Sequence, residues 1–118
     1  MPTATHHRWQ DLPQDRPMDK IARRRIIGEK AMLSEVTLSR GFVVPTHQHE
    51  NEQFACILSG KLRFTINEGT KDQRTIDVPA GGVLHLPPNV PHGAEALEDS
   101  VVLDIFSPPS EKTGVDRR

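Results

Sequence analysis

His47 and His49 stand one residue apart in the stretch Val43-Val44-Pro45-Thr46-His47-Gln48-His49. On an extended strand, residues two apart leave the same face, so both imidazoles can address one ion. The same spacing also occurs on a solvated strand face, and two further features weigh against that reading. Gln53 opens a strand whose same face carries Ala55 and Ile57. A side-chain amide buried there without a partner costs about 1–3 kcal/mol; a hydrogen-bonded turn or a metal ion supplies that partner. His92 closes Pro87-Pro88-Asn89-Val90-Pro91-His92, where three prolines hold the backbone ahead of a single imidazole. Three nitrogens with open coordination positions suit one catalytic divalent transition metal rather than calcium or magnesium. Zinc, nickel, iron, manganese, cobalt and copper all accept such donors.

Asp104 is the candidate acid/base. It interrupts the apolar run Val101-Val102-Leu103-Asp104-Ile105-Phe106, where alternation places it on one face with Val102 and Phe106. Desolvation of a carboxyl raises its pKa toward the range in which proton transfer is efficient. The alternative is a structural carboxylate satisfied by hydrogen bonds or an arginine. The run Arg23-Arg24-Arg25 reads either as a solvated edge strand or as an anion contact at a pocket mouth, with Arg24 as the candidate substrate contact. Glu52 should point away from Gln53, His85 should face outward or be hydrogen-bonded, and Cys56 reads as a small apolar filler beside Phe54 and Leu58.

These side chains need a rigid scaffold, and the composition points to strands. Ten prolines and eight glycines in 118 residues disfavour long helices and favour short strands joined by turns. Met32, Ser34, Val36 and Leu38 alternate on one face. Phe54 to Ser59 is apolar on both faces, which suits a strand buried between two sheets. Leu62, Phe64 and Ile66 point inward in the next strand, before the turn Asn67-Glu68-Gly69-Thr70. Strands at Thr75–Val78, Val83–Leu86, Gly93–Leu97 and Ser100–Phe106 bring the number to eight or nine. The expected organisation is an all-β domain over 21–110, preceded by an irregular N-terminal arm (1–20) and followed by a charged tail (111–118). The arm is expected to lie across a partner subunit or to be disordered.

Lys and Arg total 15 against 16 Asp and Glu, a balance unlike that of a nucleic-acid binder. No apolar stretch approaches the ~20 residues of a membrane helix. A lone cysteine and a polar N-terminus lead to the expectation of a cytoplasmic protein. A small-molecule substrate and a homodimer are the expected partners, with no nucleic acid and no membrane.

Gly41, His47-x-His49, Gln53 and Gly60, followed by Gly81, Pro87-x-Asn89 and His92, resemble the two motifs of the cupin superfamily. Glutamine replaces the usual glutamate, Asn89 the usual glycine and Ala96 the usual asparagine. The resemblance implies a jelly-roll β-barrel with a metal held by His47, His49, Gln53 and His92. More narrowly, His-x-His-x-x-Glu-Gln at 47–53, Pro-Pro-Asn-Val-Pro-His at 87–92 and Leu-Asp-Ile-Phe-Ser-Pro-Pro at 103–109 resemble the KdgF-type cupins of pectin degradation. That resemblance implies metal-dependent opening of an unsaturated galacturonate to a keto acid, with Asp104 and Phe106 in the pocket. Read from the residues alone, Phe106 could pack on a substrate, but filling the core is the favoured reading. Ser110 stands where that family carries an arginine, which removes a bidentate carboxylate clamp.

A neutral glutamine in place of glutamate leaves a divalent ion its full charge, which favours Lewis-acid polarisation of a carbonyl or hydroxyl. The expected function is therefore isomerisation, ring opening or lyase chemistry on a small oxygenated, carboxylated or sugar-derived substrate. A metal-dependent dioxygenase and a non-catalytic ligand-binding cupin are the alternatives.

Overall fold

The computed structural model describes residues 3–110; the expected tail 111–118 lies outside the described residues. Nine strands follow in order: β1 (Ile21–Ile27), β2 (Met32–Leu38), β3 (Val43–His47), β4 (Glu52–Ser59), β5 (Lys61–Ile66), β6 (Arg74–Pro79), β7 (Val83–Leu86), β8 (His92–Ala96) and β9 (Ser100–Ser107). They form a five-stranded sheet, β1-β2-β9-β4-β7, and a four-stranded sheet, β3-β8-β5-β6. All named strand pairs are antiparallel. No helix among the described residues is long and apolar enough to cross a membrane.

Period-two alternation fills the space between the sheets. Val36, Leu38, Ala55, Ile57 and Val102 from one sheet meet Leu62, Phe64, Ile66 and Ala96 from the other. One inner row runs across Ser34, Asp104 and Ala55, the next across Met32, Phe106, Gln53 and Leu86. Polar Ser34, Asp104 and Gln53 thus share neighbouring rows of an otherwise apolar interior. That clustering is where the site lies.

The expectation that β4 is covered on both faces is not met. Phe54 and Leu58 are 36% and 56% exposed, and Val83 on neighbouring β7 is 59% exposed. The four-stranded sheet covers one face only, so the opposite face of β4 stays open. Cys56 lies on this outer face, partly exposed, rather than filling the core. In the N-terminal segment, after a short 3-10 turn at Trp9–Asp11, Asp15 pairs with Arg23 of the same chain. Their backbones exchange N–H···O bonds of 2.9 and 2.8 Å.

Candidate metal centre

The backbone brings the three histidines together from three places. His47 ends β3 and is the cross-strand partner of His92, which begins β8. His49 lies beyond the end of β3, in the connection to β4, and not on the strand where alternation placed it. A register shift between Val44 and His47 marks a bulge that re-aims the end of β3. Gly93 makes room for it, since a Cβ there would sit 3.0 Å from both Thr46 Oγ1 and the Val44 carbonyl. Ring centroids are 4.4 Å apart for His47 and His92, 5.4 Å for His47 and His49, and 5.1 Å for His49 and His92. One ligand atom from each lies within 4.8 Å of the other two.

Each ring is oriented by its own backbone. Nδ1 of His47 lies 2.9 Å from the Pro45 carbonyl, Nδ1 of His49 2.9 Å from that of Asn51, and Nδ1 of His92 2.8 Å from that of Val90. A carbonyl only accepts, so each Nδ1 carries the proton and each Nε2 keeps its lone pair. The Nε2 atoms of His47 and His49 are buried without a hydrogen-bond partner. Leaving such acceptors unsatisfied costs about 1–3 kcal/mol each, and a divalent cation is the partner that fits them. Burial lowers the pKa of His92 to about 4, opposed by the Val90 hydrogen bond and reinforced by the neighbouring rings of His47 and His49. Burial is also the main cause that lowers the pKa of His47. Both imidazoles are therefore neutral near pH 7, the form in which imidazole binds a metal.

Gln53 is buried, and its Nε2 donates to Asp104 Oδ1 at 3.0 Å. Oε1 is the acceptor left on that amide, and Gln53 lines the same cleft as His47, His92 and Asp104. Desolvation raises the Asp104 pKa to about 6, with the Gln53 hydrogen bond acting the other way. Near neutrality such a carboxyl can both take and give a proton.

Phe106 is placed differently from a substrate contact. It is 1% exposed and its ring meets that of His49 edge-on at 5.8 Å, so it supports the His49 ring and does not line the cleft. Arg24 is turned away as well: its Nε donates to the Leu12 carbonyl and its Nη1 lies 3.7 Å from Glu35. Arg23, one residue earlier, lines the cleft instead. Alternation decides this, because Arg23 faces inward-pointing Val36 across the ladder while Arg24 faces Glu35. Glu52 and His85 pair at 2.7 Å, and the His85 ring stacks on Phe54, on the outer face.

Two supporting residues escape a reading of residue types. Asn51, 6% exposed, reads as part of a polar turn, yet its Nδ2 donates to the Pro108 carbonyl at 2.6 Å while its own carbonyl holds His49. Asn89 adopts a left-handed φ of 64° and donates its N–H to the His49 carbonyl at 2.8 Å. That conformation suits glycine or asparagine, and an asparagine among prolines is the signal in the sequence.

A 62-residue stretch, 52% of this chain, is 34% identical to the H2HPP isomerase of Bacillus subtilis. The match takes in only 25% of that protein's length. Among solved structures, KdgF from Halomonas sp. superposes with a TM-score of 0.83 at 26% identity, over 92% of this chain and 97% of that one. An RmlC-like cupin from Shewanella frigidimarina, 19% identical, superposes at 0.81 over 92% and 95% of the two chains and shares the fold. The cupin domain model matches residues 34–106, the segment that carries all three histidines, Gln53 and Asp104. With two facing sheets and three inward imidazoles on these motifs, the chain belongs to the cupin domain family.

Proposed function

We propose that the protein is a metal-dependent cupin enzyme of the isomerase or ring-opening type, acting on a small oxygenated acid. The observation that carries this reading is the orphaned pair of Nε2 atoms on rings whose Nδ1 protons are committed to the backbone. His47, His49 and His92 would hold the ion, with Gln53 Oε1 as the fourth donor. When bound, a divalent ion supplies Lewis-acid polarisation of a carbonyl or hydroxyl oxygen.

Asp104 would move the proton. Gln53 fixes Oδ1, which leaves Oδ2 to take a proton from a carbon or hydroxyl of the substrate and return it elsewhere on the same molecule. An isomerisation or ring opening needs no net change in protons, and a carboxyl with a pKa of about 6 exists in both forms near neutrality. The apolar walls, including Val44, Leu62, Phe64 and Val102, exclude water and strengthen these interactions. Phe106 keeps the His49 ring in place.

The curated relative is an isomerase, and the KdgF-type resemblance makes unsaturated uronates the first substrates to try. Elemental analysis of protein purified without an affinity resin should find one transition metal per chain. With unsaturated galacturonate, the metal-loaded protein should remove the absorbance of the ring alkene, while D104N keeps its metal and does not. Turnover by D104N at the wild-type rate would refute the proton-transfer role. The same reading includes a cytoplasmic homodimer, joined through the open apolar face of β4 and β7 where Phe54, Leu58 and Val83 are exposed.

A further inference from the structure

We infer that Asn51 is a positioning residue of the metal centre: its side-chain amide clamps the connection between β3 and β4 to the backbone that follows β9, and its own carbonyl thereby aims the His49 ring. The inference rests on the metal-centre reading and adds to it the residue on which the third imidazole depends.

His47 and His92 face each other across the β3–β8 ladder, so the sheet fixes both backbones. His49 takes part in no strand pair among the described residues, since β3 ends at His47 and β4 begins at Glu52. Two hydrogen bonds hold it instead. Its carbonyl accepts the Asn89 N–H at 2.8 Å, which fixes where the residue sits. Its Nδ1 proton goes to the Asn51 carbonyl at 2.9 Å, which fixes where Nε2 points. The Phe106 ring, edge-on to His49, restrains the imidazole but offers that proton no acceptor.

The Asn51 carbonyl is held still by its own side chain, which is anchored far along the sequence. Asn51 is 6% exposed, and its Nδ2 donates to the Pro108 carbonyl at 2.6 Å and to that of Pro109 at 3.4 Å. Proline has no N–H, so this segment can be tied down only through its carbonyls. An amide nitrogen carries two hydrogens and can serve two acceptors at once. An aspartate of the same shape would turn oxygens toward those carbonyls, and a serine would offer a single hydrogen. The ring that Asn51 orients is one whose Nε2 is buried without a partner. Released from Pro108, the Asn51 carbonyl can turn away, and no other acceptor among the described contacts then commits the His49 proton to Nδ1.

The full chain as wild type, N51A and N51D tests this, both metal-free and loaded with cobalt(II). Ring proton–nitrogen correlation spectra of the metal-free proteins, at about pH 8 and so above the ordinary imidazole range, report which nitrogen of each ring is protonated. In the wild type His47, His49 and His92 should all carry the proton on Nδ1. In both variants His49 alone should move toward protonation on Nε2. His47 and His92, held by the Pro45 and Val90 carbonyls, should keep theirs and show that the barrel is folded. Cobalt affinity, read from visible absorption in competition with a chelator, should fall roughly tenfold or more, as loss of a group that orients a metal ligand predicts. A structural role alone would lower the unfolding midpoint but leave the His49 tautomer and the cobalt affinity unchanged, and that result overturns the assignment of Asn51. A wild type whose His49 proton resides on Nε2 overturns it as well, without need of a variant. Failure of the wild type to bind cobalt overturns the metal-centre reading, and this inference with it.

Discussion

Replacing Asp104 with asparagine in metal-free protein probes how strongly the cleft desolvates a charge. The folded carboxyl has its pKa raised from 3.8 to about 6, chiefly by burial, a difference worth about 3 kcal/mol. It therefore binds its proton more tightly in the folded chain than in the unfolded one. Its contribution to stability is complete below pH 3.8 and is lost as the pH rises through about 6, where the folded side chain must ionise. D104N keeps an acceptor for Gln53 Nε2 but has no proton to lose. The stability of wild type relative to D104N should consequently fall by about 2–3 kcal/mol between about pH 4 and pH 7. Histidines common to both chains cancel in this difference. His92 works in the opposite direction: with its pKa lowered to about 4, its contribution is present above pH 6.5 and is lost as the pH falls through about 4. The two effects offset each other in wild type and give a shallow pH profile, whereas D104N should show a steep loss in acid. Urea unfolding followed by far-ultraviolet circular dichroism, with a chelator present, measures both curves. Parallel curves from pH 4 to 7 would mean that the carboxyl is not desolvated, and its acid/base assignment would fail.

H92A should lower the bound metal from one per chain to below about a tenth in protein that is still folded, because the three nitrogens act together on one ion; full metal content by elemental analysis would refute the site. G60A should cost more than about 3 kcal/mol in urea unfolding, since φ is +84° and the new Cβ would lie 2.2 Å from Ser100 Oγ and 2.4 Å from the Asp99 carbonyl. A wild-type midpoint would show that this turn relaxes freely. L58E should convert a dimer into a monomer in sedimentation velocity, because it places a charge on the open face of β4 where Leu58 is 56% exposed. A monomeric wild type would refute that interface.

Much of the barrel is legible in residue types because strand alternation is a local property. Lys61–Ile66, with Leu62, Phe64 and Ile66 buried, emerges with both its bounds and its facing, and Val83–Leu86 emerges with its bounds. The grouping of Gln53 with Ala55 and Ile57, and of Asp104 with Val102 and Phe106, likewise follows from period two alone. Prolines before His92 announce a held imidazole, since they restrict the backbone wherever they occur.

Other features depend on contacts between distant parts of the chain. Three adjacent arginines alternate in facing whichever way β1 is turned, so residue types cannot tell whether Arg23 or Arg24 points inward. Pairing with β2 decides it, by placing Arg23 opposite buried Val36. An apolar run such as Phe54–Ser59 looks alike whether both its faces or only one is covered, and it is the packing of the second sheet on one face alone that leaves the outer face of β4 open. The carbonyls of Pro45, Asn51 and Val90 that set the histidine tautomers belong to backbone atoms every residue possesses, so no side chain advertises them. Sequence by itself determined which donors exist and which strand faces carry them. The tertiary structure alone decided that a strand end, a connecting segment and the start of another strand meet at one point, because hydrogen-bond register between strands far apart in the chain is a non-local choice.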